Sequence, residues 1–156
     1  MENYTDLISY AQKENKLADY MIYVTTKLVK DKKVLISILE HVNSSFSYAI
    51  RSYLIKQREF RRIPAIPTEP KSYIEMFFDR CAKELNISID FKKIILKVNE
   101  AINAYNSRGM LLEKQSKYVF ISSTYELIDF RIEDIKEYVN LNKEFVEKIK
   151  EGLNKG

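Results

Sequence analysis

The sequence predicts a mainly α fold, an antiparallel up-down bundle of four to five helices with a short β-hairpin near residues 117–130. Three observations predict it. Apolar residues recur at three-and-four spacing through most of the chain, the period of a helix with one buried face. Breakers are scarce, with 3 Gly and 3 Pro in 156 residues, so helices can run long. The densest run of aromatic and β-branched residues lies between 117 and 130. A chain of this length buries about two thirds of its unfolded surface in one core, so residues 1–156 are read as a single helical-bundle domain. A composition 46% hydrophobic and 31% charged places it among globular rather than disordered chains.

The first helix is read over 5–30, with Leu7, Ile8, Ala11, Ala18, Met21, Ile22, Thr25, Leu28 and Val29 on its stripe and an interruption near Glu14 and Asn15. Asp31 can cap a second helix, in which Leu35, Ile38, Val42, Ser45, Ala49 and Tyr53 step along one face flanked by Leu39, Phe46, Ile50 and Leu54. Small side chains at Ser44, Ser45, Ser47 and Ala49 predict a close crossing midway along it. Pro64 and Pro67 end this pair, because proline lacks an N–H and disfavours helix in the preceding residue.

A third helix is read over 71–85, with Tyr73, Ile74, Phe77, Phe78, Cys81, Ala82 and Leu85 inward. A fourth starts at Ser88 or Asp90 and places Ile94, Ile95, Val98, Ala101, Ile102 and Tyr105 inside. It stops at "NSRG", where Gly109 can take the left-handed conformation that closes a helix. The stretch "KYVFISSTYELIDF" reads as a hairpin turning at "SST"; the rival reading makes Ser123 and Glu126 a capping box that opens a helix. The last helix is read over 132–153 on Ile135, Val139, Val146, Ile149 and Leu153, with Glu133 and Asp134 at the positive end of its dipole.

Several function classes drop out. No apolar run approaches the roughly 20 residues that cross a bilayer, and "MENYTDLISYAQKEN" has no signal-peptide character, so a cytoplasmic protein without a membrane partner is expected. One cysteine, Cys81, and one histidine, His41, leave no disulfide and no zinc-spaced ligand set, so no metal site is expected. His41 reads as a partly buried polar residue hydrogen-bonded to a neighbour, and Cys81 as a small core hydrophobe. Glu75, Asp79 and Glu84 lie among Arg80 and Lys83 and read as a solvated face. No G-x-S-x-G, Walker loop or G-x-G-x-x-G is present, so no cofactor and no catalytic residues are assigned.

The net charge of +4 understates local basicity. Segment 51–62 sets Arg51, Lys56, Arg58, Arg61 and Arg62 against Glu59, and segment 92–117 sets six cations against two acids, so each carries +4 and the remainder −4. Cations in a helix's last turn interact favourably with its unpaired carbonyls, which accounts for Lys56 and Arg58. Arg61 and Arg62 lie at or beyond that end. Arginine forks phosphate, and Tyr53 and Phe60 offer stacking surfaces, so Arg58, Arg61 and Arg62 are candidate nucleic-acid contacts. Arg108, Lys114 and Lys117, in the turn before the hairpin, are the second set. Were both sets at one end of the bundle, they would form a joint patch.

The two long opening helices, the small-residue middle of the second, the basic "RRIPAIP" exit and the later "KYVFISSTYELIDFRIEDIKEYV" together resemble a group of uncharacterised archaeal helical-bundle proteins, similar in turn to HEPN-type domains. The resemblance implies a helical bundle, dimerisation and a nucleotidyltransferase-type protein as partner. Catalytic members of that superfamily carry Arg, four to six residues, then His. Here no arginine precedes His41, and no histidine follows Arg108 in "RGMLLEK", so the motif of metal-independent RNase activity is absent. The expectation is a non-catalytic, homodimeric, partner-binding module; the alternative is an RNA- or DNA-binding protein using segments 56–62 and 108–117.

Overall fold

A computed structural model describes residues 3–25, 32–114 and 117–155. Their elements run α1 (Tyr4–Thr25), α2 (Lys32–Glu59), α3 (Pro70–Arg80), a 3₁₀ turn (Lys83–Leu85), α4 (Asp90–Asn106), β1 (Met110–Lys114), β2 (Lys117–Ile121), β3 (Leu127–Arg131) and α5 (Ile132–Asn154). The helical bundle with a short hairpin is therefore the observed architecture, enlarged by one strand. Asp31, Leu28 and Val29, named above for a cap and a stripe, lie outside the described residues.

α1 and α2 pack antiparallel, and their closest approach is where the small residues predicted it. The Ser45 hydroxyl donates to the Ala11 carbonyl at 2.7 Å, with both residues sealed from solvent, an approach that a larger side chain at 45 would block. The interruption of the α1 stripe also has a structural reason. Glu14 turns to α2 and pairs with His41 Nδ1, while buried Asn15 turns to α5 and donates to Val139 O at 3.1 Å and Asn142 Oδ1 at 2.6 Å. One helix thus touches two neighbours through polar side chains set inside an apolar face.

Phe145 of α5 is the hub of the core. Its ring meets Phe46 of α2 at 5.2 Å, Phe77 of α3 at 5.7 Å and Phe91 of α4 at 5.6 Å between centroids, mostly edge-on as the ring quadrupole favours. The sequence reading of α5 left Phe145 off its stripe, because it flanks the line through Val139, Val146 and Leu153. A broad inner face, touching three helices, accommodates both.

α3 is shorter than expected. It stops at Arg80, and the 3₁₀ turn then leads to Asn86, whose left-handed backbone (φ 56°) lets Ile87 N–H reach back to the Ala82 carbonyl at 3.0 Å. The exit of α4 departs from expectation too. Arg108, not Gly109, carries the left-handed conformation (φ 65°). Gly109 is there for space: a Cβ on it would sit 2.1 Å from the Ala104 carbonyl oxygen and 2.7 Å from that of Ile121.

Residues 110–114, read as part of a turn, form strand β1, which pairs with β2 in the register Met110↔Ile121 to Lys114↔Lys117. β2 pairs with β3 from Ile121↔Leu127 to Lys117↔Arg131, completing a three-stranded antiparallel sheet of order β1-β2-β3. Ser123 and Glu126 make no capping box; they lie in the tight β2–β3 loop, closed by Ser122 N–H to Glu126 O at 2.9 Å, with Tyr125 left-handed (φ 64°). The reciprocal bond at the start of α5 comes instead from Arg131 N–H to Asp134 Oδ2 at 3.0 Å. Strand alternation turns Tyr118, Phe120 and Phe130 into the bundle, where Phe120 meets Tyr105 of α4 and Phe130 meets Tyr138 of α5.

Candidate functional site

α5 measures the bundle from end to end. At its start Arg131 pairs with Lys117 in the sheet, and at its finish the Leu153 carbonyl accepts from Lys56 Nζ of α2. Twenty-two residues at about 1.5 Å each separate these contacts, so they lie on the order of 33 Å apart. The two predicted basic segments therefore sit at opposite ends and form no joint patch. Each has its own chemistry.

At the α2 end the cations of segment 56–62 divide by role. Lys56 is only 6% exposed, its ammonium directed to the α5 C-terminus and within 5.7 Å of the Tyr4 and Phe60 ring centroids. It serves a different helix end from its own and is removed from any nucleic-acid surface. Arg61 closes α2: its backbone is left-handed (φ 58°), its N–H donates to Arg58 O at 2.8 Å, and the Arg62 N–H donates to Gln57 O at 2.9 Å. Arg62 lays its guanidinium over the Phe60 ring at 5.5 Å. The cluster is thus first a well-finished helix end.

Arg58 differs. With Arg51, Ile55 and Glu59 of α2 it lines a groove of about 660 Å³, whose other wall is Ile66, Pro67 and Thr68 of the connection and Tyr73 of α3. Pro67 of the connection is part of that wall, and Tyr73 is fixed to α2 by its hydroxyl bond with Ser47. Arg51, Ile55 and Arg58 fall on one face because they are four and three residues apart. Arg51 was counted in the basic segment but not named as a site residue; its spacing of seven from Arg58, two helical turns, was the available signal.

At the sheet end, Arg108 lies in the α4 exit, while Lys114 and Lys117 stand on the strands rather than in a turn. Pairing and alternation put three rows on the outer face: Met110, Ile121 and Leu127; then Leu112, Val119 and Asp129; then Lys114, Lys117 and Arg131. The face runs from apolar to cationic, with one acid, Asp129, 3.7 Å from Lys117. Met110, Leu112 and Leu127 are exposed, as is Tyr125 in the adjoining loop at 85%.

Comparison with protein-family models, with curated proteins and with solved structures finds no match.

The remaining reactive groups are held in structural contacts. His41 is partly buried and paired with Glu14, the role expected of it. Burial, then the nearby Glu84 carboxylate, pushes the Cys81 thiol up to about 12, which leaves it protonated at neutral pH. Tyr53 is likewise raised, by burial and by its 2.6 Å hydrogen bond to Glu84. Glu84 is exposed, as expected of a solvated face, and also accepts this bond from α2. Among the described residues no three His, Cys, Asp or Glu side chains are grouped to hold a metal ion, and no helix is long and apolar enough to cross a membrane.

Proposed function

We propose that the chain is a non-catalytic interaction module of HEPN-like helix layout that associates through the outer face of its sheet, first with a second copy of itself. One observation carries the reading: the row Met110, Ile121 and Leu127 heads a sheet face that no described element covers, while the opposite face is filled by Tyr118, Phe120 and Phe130. An uncovered apolar sheet face gains by meeting another apolar surface.

The charge pattern favours a two-fold partner. Four residues of extended chain, about 13 Å, separate the apolar row from the Lys114, Lys117 and Arg131 row. Two copies joined across their apolar rows would carry their cationic rows to opposite flanks, roughly 27 Å apart and well beyond the ~8 Å Debye length at physiological salt. Like charges then do not oppose the contact. The basic flank remains open to an acidic third protein, and a nucleotidyltransferase-type partner would bind there.

Size-exclusion chromatography with light scattering between 5 and 200 μM tests the proposal. The wild-type chain is expected to reach twice the monomer mass, and Leu127→Glu with Met110→Glu to remain monomeric with an unchanged helical spectrum. A wild type that stays monomeric throughout rejects this interface.

A further inference from the structure

We infer that the groove between α2 and the 66–68 connection binds a free α-amino acid with a large aromatic side chain, at a site independent of the sheet face. Its lining divides by character. Ile55, Ile66 and Pro67 give it apolar walls, and the Tyr73 hydroxyl is already engaged with Ser47, so that residue too offers the groove its apolar part. The volume, about 660 Å³, lies in the range of small-molecule sites, roughly 300–1,000 Å³. Among amino acids the aromatic side chains have the most apolar area to cover, about 150–250 Å² each, and so gain most from such walls.

The polar part of the lining is one charge of each sign. Arg58 and Glu59 are neighbours in the last turn of α2, about 100° apart around its axis, and both line the groove. Both are exposed, and neither side chain has an ion pair or hydrogen bond among the described residues. Arg51, further along the α2 wall, is engaged elsewhere, over the Tyr48 ring at 5.8 Å, and the inference asks nothing of it. The two available charges therefore cancel, which disfavours a phosphate or any other net anion. A free amino acid presents the complementary pair on one carbon: a carboxylate for the forked guanidinium of Arg58 and an ammonium for the Glu59 carboxylate, with the side chain directed between the apolar walls. Few polar groups placed beside an apolar pocket are what orient a small ligand. Because both charges stay in contact with water, the affinity they confer is modest.

The chain contains no tryptophan, so L-tryptophan itself is the probe, excited selectively at about 295 nm and followed by fluorescence anisotropy as the full chain is added. Wild type is expected to bind with a dissociation constant of 20–200 μM. Arg58→Gln is expected to weaken L-tryptophan at least fivefold without weakening tryptophanamide, which lacks the carboxylate. Glu59→Gln is expected to weaken L-tryptophan at least fivefold without weakening N-acetyltryptophan, which lacks the ammonium. This crossed pattern reads the two contacts separately and would not arise from a general loss of structure. Lys114→Gln, at the far end of the bundle, should stay within twofold of wild type. Any of four results overturns the inference: no binding with the chain at 1 mM, indole binding as tightly as L-tryptophan, either glutamine variant weakening all the ligands equally, or tighter binding of glycyl-tryptophan, which would assign the groove to a peptide. Thermal melts of each variant verify folding.

Discussion

Lys56→Met separates a structural cation from a surface one. The buried ammonium donates to the Leu153 carbonyl at the C-terminus of α5 and lies near the Tyr4 and Phe60 rings, so it ties α2 to both terminal helices. A hydrogen bond involving a charged group contributes about 1.5–3 kcal/mol, and each ring contact about 0.5–1 kcal/mol. Methionine retains most of the stem's packing and removes the desolvation cost of the ammonium, which returns roughly half of that sum. The expected net loss is about 2 kcal/mol, or roughly 4–8 °C in melting temperature for a chain of this size. Urea unfolding followed by circular dichroism at pH 7 measures it, and the loss should be nearly the same in 50 mM and 500 mM NaCl because a buried contact is weakly screened. A loss below ~0.5 kcal/mol, or one that shrinks markedly in 500 mM NaCl, would refute the reasoning by returning Lys56 to the surface.

Three further outcomes follow from the backbone, the core and the titrating groups. Arg61→Gly and Tyr125→Gly, at left-handed positions, should each raise stability by about 0.5–1 kcal/mol by relieving the side-chain penalty there; a thermal melt that falls for both counts against the turn geometry. Gly109→Ala should cost about 2–3 kcal/mol or more, since the new Cβ meets two backbone oxygens that have nowhere to go, and near-wild-type denaturation midpoints would show that the α4 exit is built differently. The raised Cys81, Tyr53, Tyr118 and Tyr138 groups all bind their protons more tightly in the folded chain. Their stabilisation is complete below about pH 9 and is lost as pH rises from the unfolded values towards the folded ones, so urea midpoints should hold from pH 7 to 9 and fall from 9 to 11.5. A midpoint that climbs over that window contradicts the burial of these groups.

Helix order and most inward faces were legible because a helix that buries one side must write its period into the sequence, as α2 and α4 do. The strand pair β2–β3 was legible for the same reason at period two, with Tyr118, Phe120 and Phe130 marking the inner face. β1 was not. "MLLEK" carries one alternation too few to stand out, and its strand state comes from the backbone bonds that β2 offers it. Gly109 was recognised as special but for the wrong property, because sequence shows that a residue lacks a Cβ and not which neighbour would collide with one.

Chain order and composition by themselves determined the helical class, the scarcity of reactive residues and the presence of two basic segments. Only the folded chain decided what those segments are. It buried Lys56 against α5, spent Arg61 on a helix end, set Arg58 beside Arg51 in a groove, and placed Lys114 and Lys117 on a sheet at the far end of the bundle. The physical reason is that charge and periodicity are properties of neighbours along the chain, whereas solvent exposure and convergence depend on which distant helix arrives at the same place.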